Sequence, residues 1–431
     1  MDFPVRSKRH PDCPKPTPML CGRSTLGRGL CVKQAKDCKT RTLARRAILT
    51  RPDGDGGKNY AYVTDDLGRG CYAKPPLKMD YEVKNKLFDS VPENFNLLTY
   101  NIWGLAVRPN LEKLFMKRKD LLLRTLRNAD ADIMCFQEMS AFAYNEMKDY
   151  IATYKFASEV PFPANETDRN RSVEVYFMSR YKPKRLAVYS LPGVLNYANS
   201  MLVAEYPNLV VFNIYIQAGS KASIGQEEKW IHYSRCRYDL LNIIYDMVQD
   251  KYRDLPIVVC GDFNFHHDGK IKDWPELEII QQFKRKNFID TFRHANRRDP
   301  GLTEDTDLNL MRFNQKLMEK KYRYDAILYR PGVLGWIVDS SKIMGKETEY
   351  LNAADSKWFF KDVSEASKKP GGLSLLKGVK GTGDDYTLPI NPSDHFGVLT
   401  KFKLSHRASR KKTRRAAPVV KATRKAGVVK K

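Results

Sequence analysis

At five places an apolar, strand-like run carries or ends on a residue able to work on phosphate. Residues 258–268, VVCGDFNFHHD, are the clearest. A buried strand stops there and presents Asp262 and Asn264, which lie two apart and so point the same way, while Phe263 turns to the core. NFNLLTYNIWG (94–104) runs into Asn101, and ADIMCFQEMS (131–140) ends on Gln137-Glu138. YRYDAILYR (322–330) sets Asp325 among aromatic and aliphatic neighbours, where a buried carboxylate needs a partner. Ser393-Asp394-His395 precedes a further strand-like run at 398–404. Carboxylates, amides and an imidazole on rigid strand ends suit metal-assisted attack of water on a phosphate. Taken singly, each has an ordinary reading: a turn cap, a solvated acid past a strand, Gly-Asp loop chemistry, an N-cap beside a surface imidazole.

The elements that must position these residues follow from periodicity. Residues 111–128 place Leu111, Leu114, Phe115, Leu121, Leu122 and Leu126 at helical spacing, and 142–150, 227–250 and 275–286 read as further helices. Strand-like runs recur at 173–178, 185–190, 200–204 and 209–216. Strand and helix alternate and then give way to strand-rich stretches, which predicts a mixed α/β (α+β) domain over residues 93–405. Residues 341–391, with KKPGGLSLLKGVKGTGDD, read as a flexible surface insertion.

Charge is concentrated on the flanks. The chain of 431 residues has a formal net charge of +25. Residues 1–95 hold 19 basic and 11 acidic side chains, and 401–431 hold 13 basic and none acidic, which leaves the middle at only +4. Basic arms around a nearly balanced domain favour polyanions, either nucleic acid or an anionic membrane face. Residues 1–92 read as a loosely ordered, Cys-bearing extension and 406–431 as a disordered polybasic tail. The four early cysteines are separated by seven, nine and six residues, unlike the two-residue knuckles of ordinary zinc sites. Cys135 and Cys260, inside apolar runs, read as buried free thiols. The start has charge and proline where a secretory h-region would lie, and no apolar run approaches 18 residues. The expectation is an intracellular protein, nuclear or cytoplasmic, with a layout that suits work near genomes such as those of large DNA viruses, acting as a monomer.

In order, TYNIWG, CFQEM, CGDFN, YRYD and SDHFG resemble the endonuclease/exonuclease/phosphatase superfamily, which includes deoxyribonuclease I, exonuclease III-type endonucleases, neutral sphingomyelinases, inositol polyphosphate phosphatases and the second class of tyrosyl-DNA phosphodiesterase. The resemblance covers about residues 94–404 and implies a four-layer fold, two β-sheets packed face to face with helices outside. It implies Glu138 as the principal Mg²⁺ ligand (Mn²⁺ being the alternative ion), with Asn101 close by and Asp394 as a second acidic residue of the metal shell. Asp262 would orient and deprotonate the attacking water, helped by Asn264, which would also bond the phosphate. His395 would contact a non-bridging oxygen, with Asp325 holding its other ring nitrogen.

One position departs from much of the family. Where sphingomyelinases and deoxyribonuclease I carry a histidine, the stretch 211–219 has Tyr215. Either a catalytic group is lost, or Tyr215 contacts the phosphate or leaving oxygen as a tyrosine does in the exonuclease III branch. The second is favoured, because every other catalytic position is filled. The resemblance and the polybasic tail together lead to the expectation of a Mg²⁺-dependent nuclease or DNA-end phosphodiesterase. The alternatives are a sphingomyelinase-like or inositol-phosphate phosphodiesterase, with Trp358-Phe359-Phe360 dipping into a bilayer, and a nucleic-acid-binding scaffold on a degenerate hydrolase domain.

Overall fold

The computed structural model describes residues 78–105, 109–158, 174–191, 199–219, 227–332, 335–383 and 385–405, with the backbone of four short antiparallel strands between residues 19 and 64. The side chains of the early cysteines and the polybasic tail lie outside the described residues.

Strands β1 (Lys78–Lys84), β2 (Asn94–Asn101), β3 (Ile133–Met139), β4 (Phe156–Ala157), β5 (Glu174–Ser179), β6 (Arg185–Leu191), β7 (Asn199–Glu205), β8 (Val210–Tyr215), β9 (Ile257–Asp262), β10 (Ile289–Asp290), β11 (Asp325–Arg330), β12 (Trp336–Met344) and β13 (Gly397–Leu404) build two sheets. One has the order β10-β11-β9-β8-β7-β6-β1, the other β12-β13-β2-β3-β5-β4. The main helices are α1 (Pro109–Ala129), α2 (Ala141–Ile151), α3 (Glu227–Lys251), α4 (Leu277–Arg285) and the short α5 (Leu310–Lys316).

Each sheet contains one parallel pair, β2 with β3 and β8 with β9, and all its other pairs are antiparallel. A parallel pair needs a long crossover. Here α1 and α3 supply it, so both strands of each pair finish on the same edge of their sheet. That is why Asn101, Glu138, Tyr215 and Asp262, scattered through the chain, all lie at strand C-termini.

The inner faces of the two sheets share one core, in which Leu97, Cys135 and Phe177 meet Val211, Val258, Cys260 and Ile327. Helices α3 and α4 cover the outer face of the first sheet through Leu240, Ile244 and Ile280. Helices α1 and α2 cover the second through Phe115, Leu122 and Met147. These are the four layers the motif order implies, and Cys135 and Cys260 are buried free thiols.

The borders differ from the sequence reading in two places. Residues 78–84 are not part of a loose extension: β1 is an edge strand of the seven-stranded sheet, with Val83 opposite Leu186. Tyr81 and Val83 pack on the core while charged residues alternate with them, which is how an edge strand is kept from pairing further. Residues 341–391 are not a featureless insertion either. Their first four residues finish β12, and the rest fold on an apolar cluster of Leu351, Phe359, Leu376, Leu388 and Ile390, docked on Trp103, Leu114 and Met311. These apolar residues are irregularly spaced, so no period announced them. Phe359 is buried in this cluster, Lys113 Nζ sits 4.2 Å over the Trp358 ring, and Phe360 packs edge-on to Tyr386. The aromatic triplet therefore anchors the insertion onto the domain. Among the described residues no helix is long and apolar enough to cross a membrane.

Candidate active site

Asn101 is the hub of the site. Fully buried at the end of β2, its side-chain amide donates to Glu138 Oε1 (3.1 Å) and to Asp262 Oδ2 (3.0 Å), joining the two sheets. Its side-chain carbonyl oxygen accepts from the Trp103 backbone amide at 3.0 Å, and Ser393 Oγ donates to its backbone carbonyl at 2.7 Å.

Backbone geometry aims the other groups. Glu138, at a bulge in β3, has φ +56°, Trp103 +48° and Asn264 +53°, a left-handed conformation that costs a non-glycine residue about 1 kcal/mol or more and clusters at functional sites. Gly261 has φ +145°, and a Cβ there would lie 1.9 Å from the Ile214 carbonyl, so only glycine lets β9 run this close to β8. Along the sheet Tyr215, Asp262 and Asp325 are register neighbours on β8, β9 and β11.

Asp262 Oδ1 accepts from the Asn264 backbone amide at 2.8 Å, and the Asn264 side-chain amide donates to the Ile216 carbonyl at 2.9 Å. Burial, with Asp325 alongside, pushes the Asp262 carboxyl up to about 7, against the pull of His395 and the hydrogen bonds it accepts. His395 Nδ1 lies 2.8 Å from Asp325 Oδ2 and 4.0 Å from Asp262 Oδ2. Burial would favour its neutral form, but Asp325, Asp262 and Asp394 outweigh it and hold the imidazolium well above the ordinary histidine range. With Nδ1–H given to Asp325, Nε2–H is left to meet a substrate oxygen.

Glu138 carries the plainest sign of an unfilled role. Its Oε1 accepts from Asn101 and from the Tyr215 hydroxyl (2.9 Å), while its buried Oε2 has no hydrogen-bond partner among the described residues. Burial and the nearby Asp394 raise its pKa. An orphaned buried carboxylate oxygen beside a second carboxylate is what a hard divalent cation would satisfy. Atoms of Asp262, Asp325 and His395 also lie within 4.8 Å of one another. A protonated histidine repels a cation, so that trio reads as a hydrogen-bonded base–imidazolium–acid chain, and Glu138, with Asp394 and Asn101 nearby, is the better place for a metal.

All eight residues singled out in the sequence thus meet in one cluster, buried except for a half-buried Asn264. Tyr215 differs in its contact: its hydroxyl is given to Glu138, not held free for a phosphate oxygen. Burial and the negative charge of Glu138 and Asp262 keep the phenol protonated, so it remains a donor.

Two arginines escaped the sequence reading. Arg118 of α1 is buried and donates to the carbonyls of Ile102 (2.9 Å), Trp103 and Pro392, tying the loop after β2 to the loop that carries Asp394 and His395. Burial brings its pKa down to about 10, so it stays charged. The signal was present, since Arg118 falls on the apolar stripe of α1 between Phe115 and Leu122. Arg312 of α5 faces Asp394 Oδ2 at 3.4 Å and bonds Glu304 at 3.1 Å, and its seven-residue helix has too short a period to stand out. Arg118→Met leaves three carbonyls without their donor. It is expected to cost about 3 kcal/mol, read as a lower Tm, and about 10²-fold in turnover as the two loops drift apart.

The model of the Endonuclease/Exonuclease/phosphatase family matches residues 98–301, a span that takes in Asn101, Glu138, Tyr215, Asp262 and Asn264. No curated protein matches the sequence. Among solved structures, truncated Caenorhabditis elegans TDP2 is similar at 14% identity and TM-score 0.45, over 72% of this chain and 97% of that one. D. rerio TDP2 complexed with a single-strand DNA product has 14% identity and TM-score 0.46, over 72% and 99%. SmcL has 14% identity and TM-score 0.49, over 73% and 100%. Similarity at these levels carries no argument about substrate. The match to the endonuclease/exonuclease/phosphatase family, whose members are hydrolases acting on phosphodiester bonds, thus falls on residues 98–301, the stretch whose strand ends supply five of the eight site residues.

Proposed function

We propose that the protein is a divalent-metal-dependent phosphodiesterase acting on nucleic acid. The observation that carries the reading is the meeting of Glu138, with its orphaned oxygen, and Asp262, with a carboxyl raised to about 7, across the single bridging side chain of Asn101. A general base works best with a pKa near the operating pH.

In this reading Asp262 takes a proton from the attacking water. Asn101 and the Asn264 amide hold its carboxylate in one orientation. The Asn264 carbonyl oxygen faces the same water, and its second amide hydrogen is available to the phosphate. The His395 imidazolium, fixed by Asp325, donates from Nε2 to a non-bridging oxygen as negative charge builds. Tyr215 and Asn101 orient Glu138. A Mg²⁺ or Mn²⁺ ion held there would polarise the phosphoryl oxygen and neutralise developing charge. The polybasic tail, 406–431, with 11 basic residues and no acid, supports a nucleic-acid substrate through salt-dependent attraction to its backbone. Phe359 is buried and Trp358 and Phe360 are half-buried against the domain, so the aromatic triplet lends less support to a lipid substrate.

The purified protein with Mg²⁺ should be given abasic duplex DNA, plain single- and double-stranded DNA, a tyrosyl-DNA end, and sphingomyelin. Turnover of at least one nucleic acid is expected. Turnover of sphingomyelin alone would overturn the reading, and DNA binding with no turnover would point to a scaffold. Removing 407–431 should weaken DNA affinity and flatten its salt dependence while leaving short-oligonucleotide cleavage largely intact.

Tyr215→Phe separates the two roles of that residue. As a positioner of Glu138, its loss should raise the Mg²⁺ concentration for half-maximal rate about 10- to 100-fold, with kcat largely restored at saturating Mg²⁺. A fall in kcat that excess metal does not repair would instead place the hydroxyl on the substrate.

A further inference from the structure

A hollow of about 300 Å³, at the small end of the range for ligand pockets, opens between α1, α5 and the docked insertion. Its walls are the first turn of α1 (Asn110, Leu111), the end of α5 (Gln315, Lys316) and the docked insertion (Lys361, Lys368).

Three features bear on what it holds. Gln315 is only 7% exposed, and its carbonyl accepts from Arg312 Nη1 at 2.9 Å, yet its side-chain NH₂ has no hydrogen-bond partner among the described residues. Lys316 and Lys361 have no ion-pair partner among the described residues, and Lys316 also faces the positive charge of Arg312. Lys361 comes from a π-helical turn, Phe359–Val363, a rare conformation that is frequent at functional sites. Of the two acids that share the lining, Glu365 is paired with Lys368 at 3.2 Å, which leaves Asp362 against two free lysines and the positive end of α1. The Gln315–Arg312–Asp394 contacts lead directly from this hollow to the active site.

We propose that the hollow is a subsite for one nucleotide of the strand flanking the scissile bond, its phosphate taken by the Gln315 amide, Lys316 and Lys361, and its base or sugar resting on Leu111. The proposal deepens the nucleic-acid reading above and rests on it for the strand. Its phosphate-binding residues, Gln315, Lys316 and Lys361, lie beyond the family match, which ends at 301.

The test uses the full chain and the double variant Lys316→Ala/Lys361→Ala, with Lys401→Ala on β13 as a remote control. Both mutated lysines are exposed, so the fold is not at stake. On an octanucleotide the double variant should raise KM about tenfold with kcat within twofold, and the slope of log affinity against log salt should fall by about 0.7 per lost single-strand phosphate contact. On bis(p-nitrophenyl) phosphate, a phosphodiester with no nucleotide to place in the hollow, the loss should be about tenfold smaller. Independently, dAMP should slow chemical acetylation of Lys316 and Lys361 but not of Lys401, and inorganic phosphate should do so more weakly. Equal losses on both substrates, or none on either together with no protection by dAMP, would overturn the subsite and leave the hydrolase reading intact. Protection by dAMP in a protein that cuts no nucleic acid would overturn the hydrolase reading and leave a nucleotide site.

Discussion

Replacing Asp262 with asparagine is expected to abolish turnover and, at the same time, to make the protein more stable. Loss of the general base should cost about 10³-fold in rate. The stability gain comes from the same environment. The folded-state pKa of Asp262 is about 7 against an ordinary 3.8. A carboxyl whose folded pKa is raised binds its proton more tightly in the folded state. The cost of carrying its charge is therefore absent below about 3.8, grows between 3.8 and 7, and is complete above 7. At pH 8 that difference corresponds to at most about 4 kcal/mol. The asparagine keeps the shape without the charge. It gives up one of the two hydrogen bonds that the Asp262 oxygens accept, from Asn101 or the Asn264 backbone amide, about 1 kcal/mol against the larger gain. In metal-free buffer at pH 8 the variant should therefore melt a few degrees above the wild type. The gap should close as the pH is lowered to 4. A gap that does not change with pH would show that the carboxyl is not held in this way. The same raised pKa sets the acid limb of the rate profile: activity should rise with pH through about 7 as Asp262 loses its proton.

Glu138→Gln should be nearly as damaging to turnover, for a different reason. The glutamine can keep both hydrogen bonds that Glu138 Oε1 now accepts, from Asn101 and Tyr215, so the local fold has little cause to change. What is lost is the charge of a carboxylate whose second oxygen has no partner among the described residues. Losing the charge that holds a Lewis-acidic ion should cost several kcal/mol of transition-state stabilisation, on the order of 10³-fold in rate. Binding gives a second readout. Mg²⁺ should raise the Tm of the wild type in proportion to its occupancy and leave that of Glu138→Gln almost unmoved. If the variant still gains its full Mg²⁺-dependent shift, the ion binds elsewhere, and the Asp262–Asp325–His395 trio becomes the place to look.

The strand-end chemistry was legible because it is local. Asp262 and Asn264 share a face by the period of an extended chain, and the apolar runs before Asn101 and Glu138 announce buried strands. The four layers followed from the order of those motifs. The partners were not legible, since a sequence shows which residues end a strand but not which ends meet. That Asn101 bridges Glu138 and Asp262, 37 and 161 residues away, is a property of two parallel pairs in two sheets. The hydroxyl of Tyr215 was expected at the phosphate and is found on Glu138 for the same reason. Arg118 stood on an apolar stripe, where a charge among leucines was a readable anomaly. Arg312 and Gln315 sit in a seven-residue helix between turns, and only the structure brings Arg312 to Asp394 and Gln315 to Arg312. The docked insertion was hidden by irregular apolar spacing, and β1 by the charges that protect an edge strand.

The account stands most directly on one rate measurement: cleavage of an end-labelled DNA oligonucleotide by the full-length protein as Mg²⁺ is raised from an EDTA-buffered zero to millimolar, with Asp262→Asn in parallel. A saturable dependence on Mg²⁺, with the variant silent at every concentration, is the predicted result. Cleavage that persists in EDTA, or that survives in Asp262→Asn, would contradict it.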